Sequence, residues 1–232
     1  MDQRIRLARS AGLAYLALGI TGMLGFLVIR PRIYAAGDPA ATLAQLIENE
    51  GLARAGVALE LGIVLSQALV ALAFFRLFRR VDATQAGALA AFGLVNAVAI
   101  LASSAMLTSA LRVATEPGLA ADPATTAQLL FVLSESFWAG GNLFFGLWLI
   151  PMGRLVLSSG WMPRALGQVL VVGGLGYLVS AFVPVLAPGS PEAVLTVLTL
   201  PASVGEFWMI GYLLVRGVRR EALEPARETV TA

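Results

Sequence analysis

Read for hydrophobic and polar positions, the chain is six long apolar runs separated by short polar segments. The runs are Ala11 to Ile29, Leu52 to Phe75, Gln85 to Leu111, Gln128 to Ile150, Ala165 to Ala187 and Ala193 to Val215. About 20 apolar residues in a helix cross the roughly 30 Å of hydrocarbon in a bilayer, so each run predicts a transmembrane helix. The expected fold class is all-α: a polytopic membrane helix bundle of six spans over residues 1–217, with a short polar cytoplasmic tail at 218–232. Arg4, Arg6 and Arg9 before the first run imitate the start of a signal peptide. That run is too long for a signal-peptide core and no small-x-small cleavage site follows, so it reads as an uncleaved span.

Basic residues fall at the ends of the runs, and counting them by side gives an orientation. With the N-terminus inside, the inner segments hold Arg4, Arg6, Arg9, Arg76, Arg79, Arg80, Arg154, Arg164, Arg216, Arg219, Arg220 and Arg227. The outer segments hold Arg30, Arg32, Arg54 and Arg112. Twelve against four satisfies the positive-inside rule with both termini cytoplasmic.

Each run that descends from the outer side follows a capping residue and a proline: Asp38-Pro39, Asp122-Pro123 and Ser190-Pro191. An oxygen side chain there accepts from free backbone N–H groups, and proline at the first helical position has no N–H to leave unpaired. The first cap predicts a short outer amphipathic helix near 39–50, ending about Gly51. DPAATLAQLI from Asp38 matches DPATTAQLL from Asp122 with one insertion. Duplication and coincidence both account for that match, and aligning the caps does not superimpose Glu60 on Glu135.

Composition narrows the chemistry. Hydrophobic residues make up 58% of the chain and charged residues 13%, against about a quarter charged in a soluble domain. There is no cysteine or histidine, and all sixteen basic residues are arginine. Thiol nucleophiles, imidazole acid-base steps, lysine Schiff bases and nearly all zinc, copper or haem ligation are therefore excluded. No catalytic set, no metal site and no cofactor is expected. A net charge of +2 is spread over segment ends without a basic domain, so nucleic acid is not an expected partner.

Polar residues inside the runs are the candidate chemistry. Glu60, Glu135 and Glu206 all lie on descending helices. At about 1.5 Å per residue, Glu60 stands roughly 24 Å above Arg76, Glu135 roughly 28 Å above Arg154 and Glu206 roughly 15 Å above Arg216. Glu60 and Gln67, Glu135 and Asn142, and Asn96 and Ser103 are each seven apart, which puts each pair on one helix face. Ser203 lies three residues before Glu206, just below Pro201, whose missing N–H frees a carbonyl. Charges at membrane depth are costly unless they face the bundle interior, a wet cavity or a partner. The stripes are therefore expected to point inward, as ligand or proton sites or as interhelical hydrogen-bond glue. Arg54, six residues before Glu60, is the nearest candidate partner of that acid, and Trp138, three after Glu135, a candidate apolar wall.

Gly173, Gly174 and Gly176 read as close helix contacts rather than a ligand loop, because no strand precedes them. Pro151 is expected to end or bend the fourth span, and Trp161 to lie at the membrane interface. The segment FFGLWLIPMGRLVLSSGWMPRALGQVLVVGGLGYL, Phe144 to Leu178, resembles the core of the bacterial integral-membrane family catalogued as domain of unknown function 4386. AGLAYL near the start and ALVALAFFRLFRRV in the second span fit the same family, so the likeness covers most of the chain. It implies a multi-pass helical protein of the bacterial inner membrane, and it carries no assigned reaction or catalytic residue.

Three functions compete. The first is binding or moving a small amphipathic solute or lipid through a polar cavity that holds the three glutamates. The second is an accessory or sensor protein working through helix–helix assembly, as a homo-oligomer or with a membrane partner. The third and least favoured is an intramembrane enzyme acting on lipid through a glutamate and a serine such as Ser134, Ser136 or Ser203. Convergent acids in an open cavity distinguish the first, a dry paired interior the second, and a serine close to both a carboxylate and an oxyanion donor the third.

Overall fold

A computed structural model describes residues 3–219; the tail expected at 218–232 lies almost wholly outside the described residues. The described residues form helices and no strand. They are α1 (Gln3–Ile33), α2 (Pro39–Glu48), α3 (Glu50–Phe78), α4 (Ala83–Thr115), α5 (Pro123–Ser159), α6 (Arg164–Leu186) and α7 (Glu192–Val215). All but α2 are long and apolar enough to cross a membrane. The chain is an all-α polytopic membrane protein with six candidate spans.

The helix starts and stops have local causes. Asp38 Oδ1 accepts the Ala41 N–H at 2.9 Å and Asp122 Oδ1 the Thr125 N–H at 3.0 Å, so both Asp-Pro caps form. The third does not: α7 begins after Pro191 without a side-chain cap, and the Ser190 N–H turns back to the Ala187 carbonyl at 3.0 Å. The short helix stops at Glu48, before Gly51, which lies inside α3. Asn49 makes the break: its amide side chain donates to the Gln45 carbonyl at 3.1 Å and competes with helical continuation. Pro151 does not end α5, which runs on to Ser159.

The chain divides into two compact units. The first comprises Met1–Leu13, Val70–Phe92 and Phe145–Ala232, the second Ala14–Leu69 and Gly93–Phe144. In the first unit, α5 and α6 approach so closely that a Cβ on Gly146 would lie 2.6 Å from the Gly174 carbonyl oxygen, and one on Gly153 2.5 Å from that of Gly167. Small residues at both surfaces let the backbones meet, which is how helices gain packing energy where lipid offers no hydrophobic drive. Its aromatic core runs from Trp148 through Phe74 and Phe78 to Trp161, with ring centroids 5.8, 6.1 and 5.5 Å apart. Trp161 is buried within the protein, and its carbonyl accepts from Tyr212 Oη at 3.3 Å.

The second unit has an apolar core in which Leu46 of α2 packs with Ile29, Ile33, Leu107, Leu111 and Phe131. Thr42 fixes α2 in place: its hydroxyl accepts the Ala35 N–H at 3.1 Å and donates to Gln128 Oε1 at 2.8 Å. Within α1, Leu24–Ile29 widens into a π-helical turn, with the Arg30 N–H bonded to the Gly25 carbonyl. Pro31 accounts for it, because proline offers no N–H to the carbonyl four residues back and its ring crowds that carbonyl.

A candidate polar site around Arg30 and Glu60

The second unit gathers a polar cluster from four helices. Glu60 of α3 is only 5% exposed. It accepts the Ser103 hydroxyl of α4 at 3.0 Å through Oε2 and the Trp138 indole N–H of α5 at 3.2 Å through Oε1. Ser103 Oγ lies 2.8 Å from Ser134 Oγ. A hydroxyl has one hydrogen, so when Ser103 gives its own to Glu60, Ser134 supplies the one between the serines. Ser134 and Trp138 stand four apart and therefore share the α5 face that meets Glu60.

Arg30, at the end of the π turn, adds the cation. Its guanidinium sits 5.6 Å from the ring centroid of Phe26, 5.7 Å from Tyr34 and 5.8 Å from Phe131. Nη2 approaches Glu135 Oε1 at 3.5 Å but is buried and makes no hydrogen bond. Tyr34 Oη donates to Glu135 Oε2 over a long 3.4 Å and its ring stacks on Phe131 at 4.6 Å. Burial and the nearby Glu135 carboxylate raise the Tyr34 phenol above the usual tyrosine range, against a smaller opposing effect of Arg30, so the phenol stays a donor. Arg30, Glu60, Phe26, Ile29, Gly56 and Phe131 line a cavity of about 20 Å³, room for a single water.

The placement of the candidate residues departs from expectation in several ways. Arg54 is not the partner of Glu60: it bonds Glu50, one turn earlier, at 2.6 Å on an exposed surface. An i, i+4 acid lies within easier reach than a buried carboxylate six residues on. Glu135 does not point inward; its side chain is 49% exposed, because adjacent helix positions diverge by about 100° and the buried position belongs to Ser134. Glu206 belongs to the first unit, half-buried on α7. Ser203 Oγ turns to the Thr199 carbonyl of its own helix at 3.5 Å. Asn142 is half-buried, whereas Gln67 and Asn96 are buried, with Gln67 Oε1 and both Asn96 side-chain polar atoms lacking hydrogen bonds. Among the described residues no group of His, Cys, Asp or Glu is arranged to hold a metal ion.

Arg30, Tyr34 and Ser134 complete the cluster and were not singled out as its members by the sequence. The spacing of Phe26, Arg30 and Tyr34 by fours was the available signal; Arg30 had been read only as an outer topology mark. The match to a family model decides the relationship: residues 10–217 fit the family described as domain of unknown function (DUF4386). The chain belongs to this family. No curated protein and no solved structure matches it. Every member of the cluster, from Phe26 to Trp138, lies within the part of the chain that the family model covers.

Proposed function

We propose that this membrane protein binds a small amphipathic solute with an acidic head, and passes it along, at the Arg30 end of the cluster. The observation carrying this reading is the buried Nη2 of Arg30, which has a carboxylate 3.5 Å away and no hydrogen bond. A guanidinium presents donors in a planar fork that suits two oxygens of one anion. Glu135 meets that fork poorly, from a half-exposed position, so an acidic head is a better ligand than the residue it displaces. The rings of Phe26, Tyr34 and Phe131 supply an apolar surface for the adjoining chain. The cavity as it stands admits one water, and solute entry requires these rings to swing aside.

Native mass spectrometry of the full chain in detergent with dodecanoate, dodecanol and dodecyltrimethylammonium tests this. Dodecanoate should be retained over the other two, Arg30→Gln should weaken it by about 10-fold to 100-fold, as expected for a buried charge-assisted hydrogen bond, and Glu135→Gln should tighten it. Equal retention of dodecanoate and dodecanol, or no change in Arg30→Gln, refutes the reading. The closed chain from Glu60 through Ser103 to Ser134 favours the alternative of a protein acting through helix assembly; in that case Glu60→Gln alters oligomer or complex formation and leaves dodecanoate retention unchanged. An enzymatic reading has less support, since Ser103 and Ser134 are fully buried and neither lines the cavity.

A further inference from the structure

A second concavity lies in the first unit, with no residue in common with the Arg30 cluster. It is an open cleft of about 970 Å³ between the start of α1 and the end of α3. Arg4 and Arg6 contribute from α1, Arg76, Arg79 and Arg80 from the end of α3, and Trp161 from the α5–α6 connection. Among the described residues that line it there is no carboxylate. Trp161 forms a fixed wall: its ring stacks on Phe78 at 5.5 Å and carries the Arg4 guanidinium 5.6 Å from its centroid.

Topology marks need only be near the end of a span; nothing in that role draws five arginines from two helices around one cleft. Arg6, Arg76, Arg79 and Arg80 face a common space, where like charges repel one another and an anion with several oxygens relieves the repulsion. Phosphate-bearing groups match this donor set, because each guanidinium can give two parallel hydrogen bonds to one phosphate. Leu72 and Phe75 on the same cleft give it an apolar side, as an acyl chain next to a phosphodiester head requires. Basic pockets at the ends of transmembrane helices are the usual form of such sites.

We propose that this cleft is a binding site for a phosphate-bearing anion, supplied as the head of an anionic lipid or as a soluble phosphate compound. Full-length protein in dodecyl maltoside is offered dioleoylphosphatidylglycerol, dioleoylphosphatidylcholine or inorganic pyrophosphate, and retention is read by native mass spectrometry. Preferential retention of the glycerol lipid assigns the lipid source; retention of pyrophosphate, or its displacement of that lipid, assigns the soluble one. Either should weaken by about a hundredfold in the Arg76→Gln/Arg79→Gln/Arg80→Gln variant, three charges at about fivefold each, and remain unchanged in Arg54→Gln. If the triple variant fails to fold, the salt dependence of the unaltered protein decides: retention should fall steeply between ~50 and ~500 mM NaCl. Equal retention of both lipids with no pyrophosphate bound, an unchanged affinity in a folded triple variant, or insensitivity to salt overturns the proposal.

Discussion

The hydrogen bond from Trp138 to Glu60 offers the sharpest test of the polar cluster. Trp138→Phe removes the indole N–H yet keeps an aromatic ring to meet Phe26, whose ring stands edge-on at 4.6 Å. Glu60→Met removes the acceptor at nearly constant volume. Neither single substitution isolates the bond, because Glu60 also accepts from Ser103 and apolar replacement of a buried charge can itself be stabilising. A double-mutant cycle removes those contributions. Bonds to charged groups are worth about 1.5–3 kcal/mol in soluble proteins, while interhelical bonds in a membrane average about 0.6 and reach about 1.7 kcal/mol. The 3.2 Å separation is longer than the usual 2.9–3.0 Å, and the acceptor is charged when ionised; the two effects place the coupling at about 1 kcal/mol. The assay is equilibrium unfolding of the four proteins in mixed detergent micelles. A coupling within about 0.3 kcal/mol of zero, the normal limit of additivity, would refute the bond and with it the anchoring of α5 on Glu60.

Other consequences concern packing and helix starts. Gly146→Ala should destabilise by about 1–3 kcal/mol, since its Cβ would meet the Gly174 oxygen and Leu178, whereas Gly140→Ala on the same helix, with open space around it, should stabilise by up to about 1 kcal/mol; equal effects in unfolding assays would count against the α5–α6 contact. Asp122→Ala should lower the unfolding midpoint and Ser190→Ala leave it nearly unchanged, a contrast that vanishes if the third cap forms. The bonds from the Thr125 hydroxyl and amide hold the Asp122 carboxyl below the usual aspartate range. Its contribution to stability is therefore present above that range and is lost as pH falls through the lowered value. An NMR titration should place Asp122 below free aspartate, and Thr125→Val should move it upward; no movement would show that the side chain does not share in the cap.

Much of the outline was legible along the chain because it depends on local rules. Hydrophobic run length needs only the thickness of a bilayer, and the Asp-Pro caps need only the residues beside them; the spans and two of three caps follow. Ser190-Pro191 has the same pattern but failed, because α7 begins one residue later, with Pro191 at the cap position and its carbonyl taking the Val194 N–H. The seven-residue spacing marked Glu60, Gln67, Asn96 and Ser103, which are buried, and also Glu135 and Asn142, which are half-exposed and half-buried. That periodicity identifies residues sharing one face of a helix without identifying what lies opposite.

The partners across that gap were decided by tertiary structure. Arg54 was the nearest cation to Glu60 in sequence, and it bonds Glu50 instead. Arg30, thirty residues before Glu60, is the cation that shares a cavity with it, carried there by a π turn that Pro31 imposes. Glu135 and Ser134 are neighbours in the chain, yet one is half-exposed and the other buried. By itself the sequence determined the six candidate spans of the described residues, two of the three capped starts and which chemistries the chain lacks, since these depend on composition and short-range geometry. Only the tertiary structure decided which polar groups meet, because partners on different helices are chosen by backbone approach and side-chain direction, which no spacing along a single helix contains.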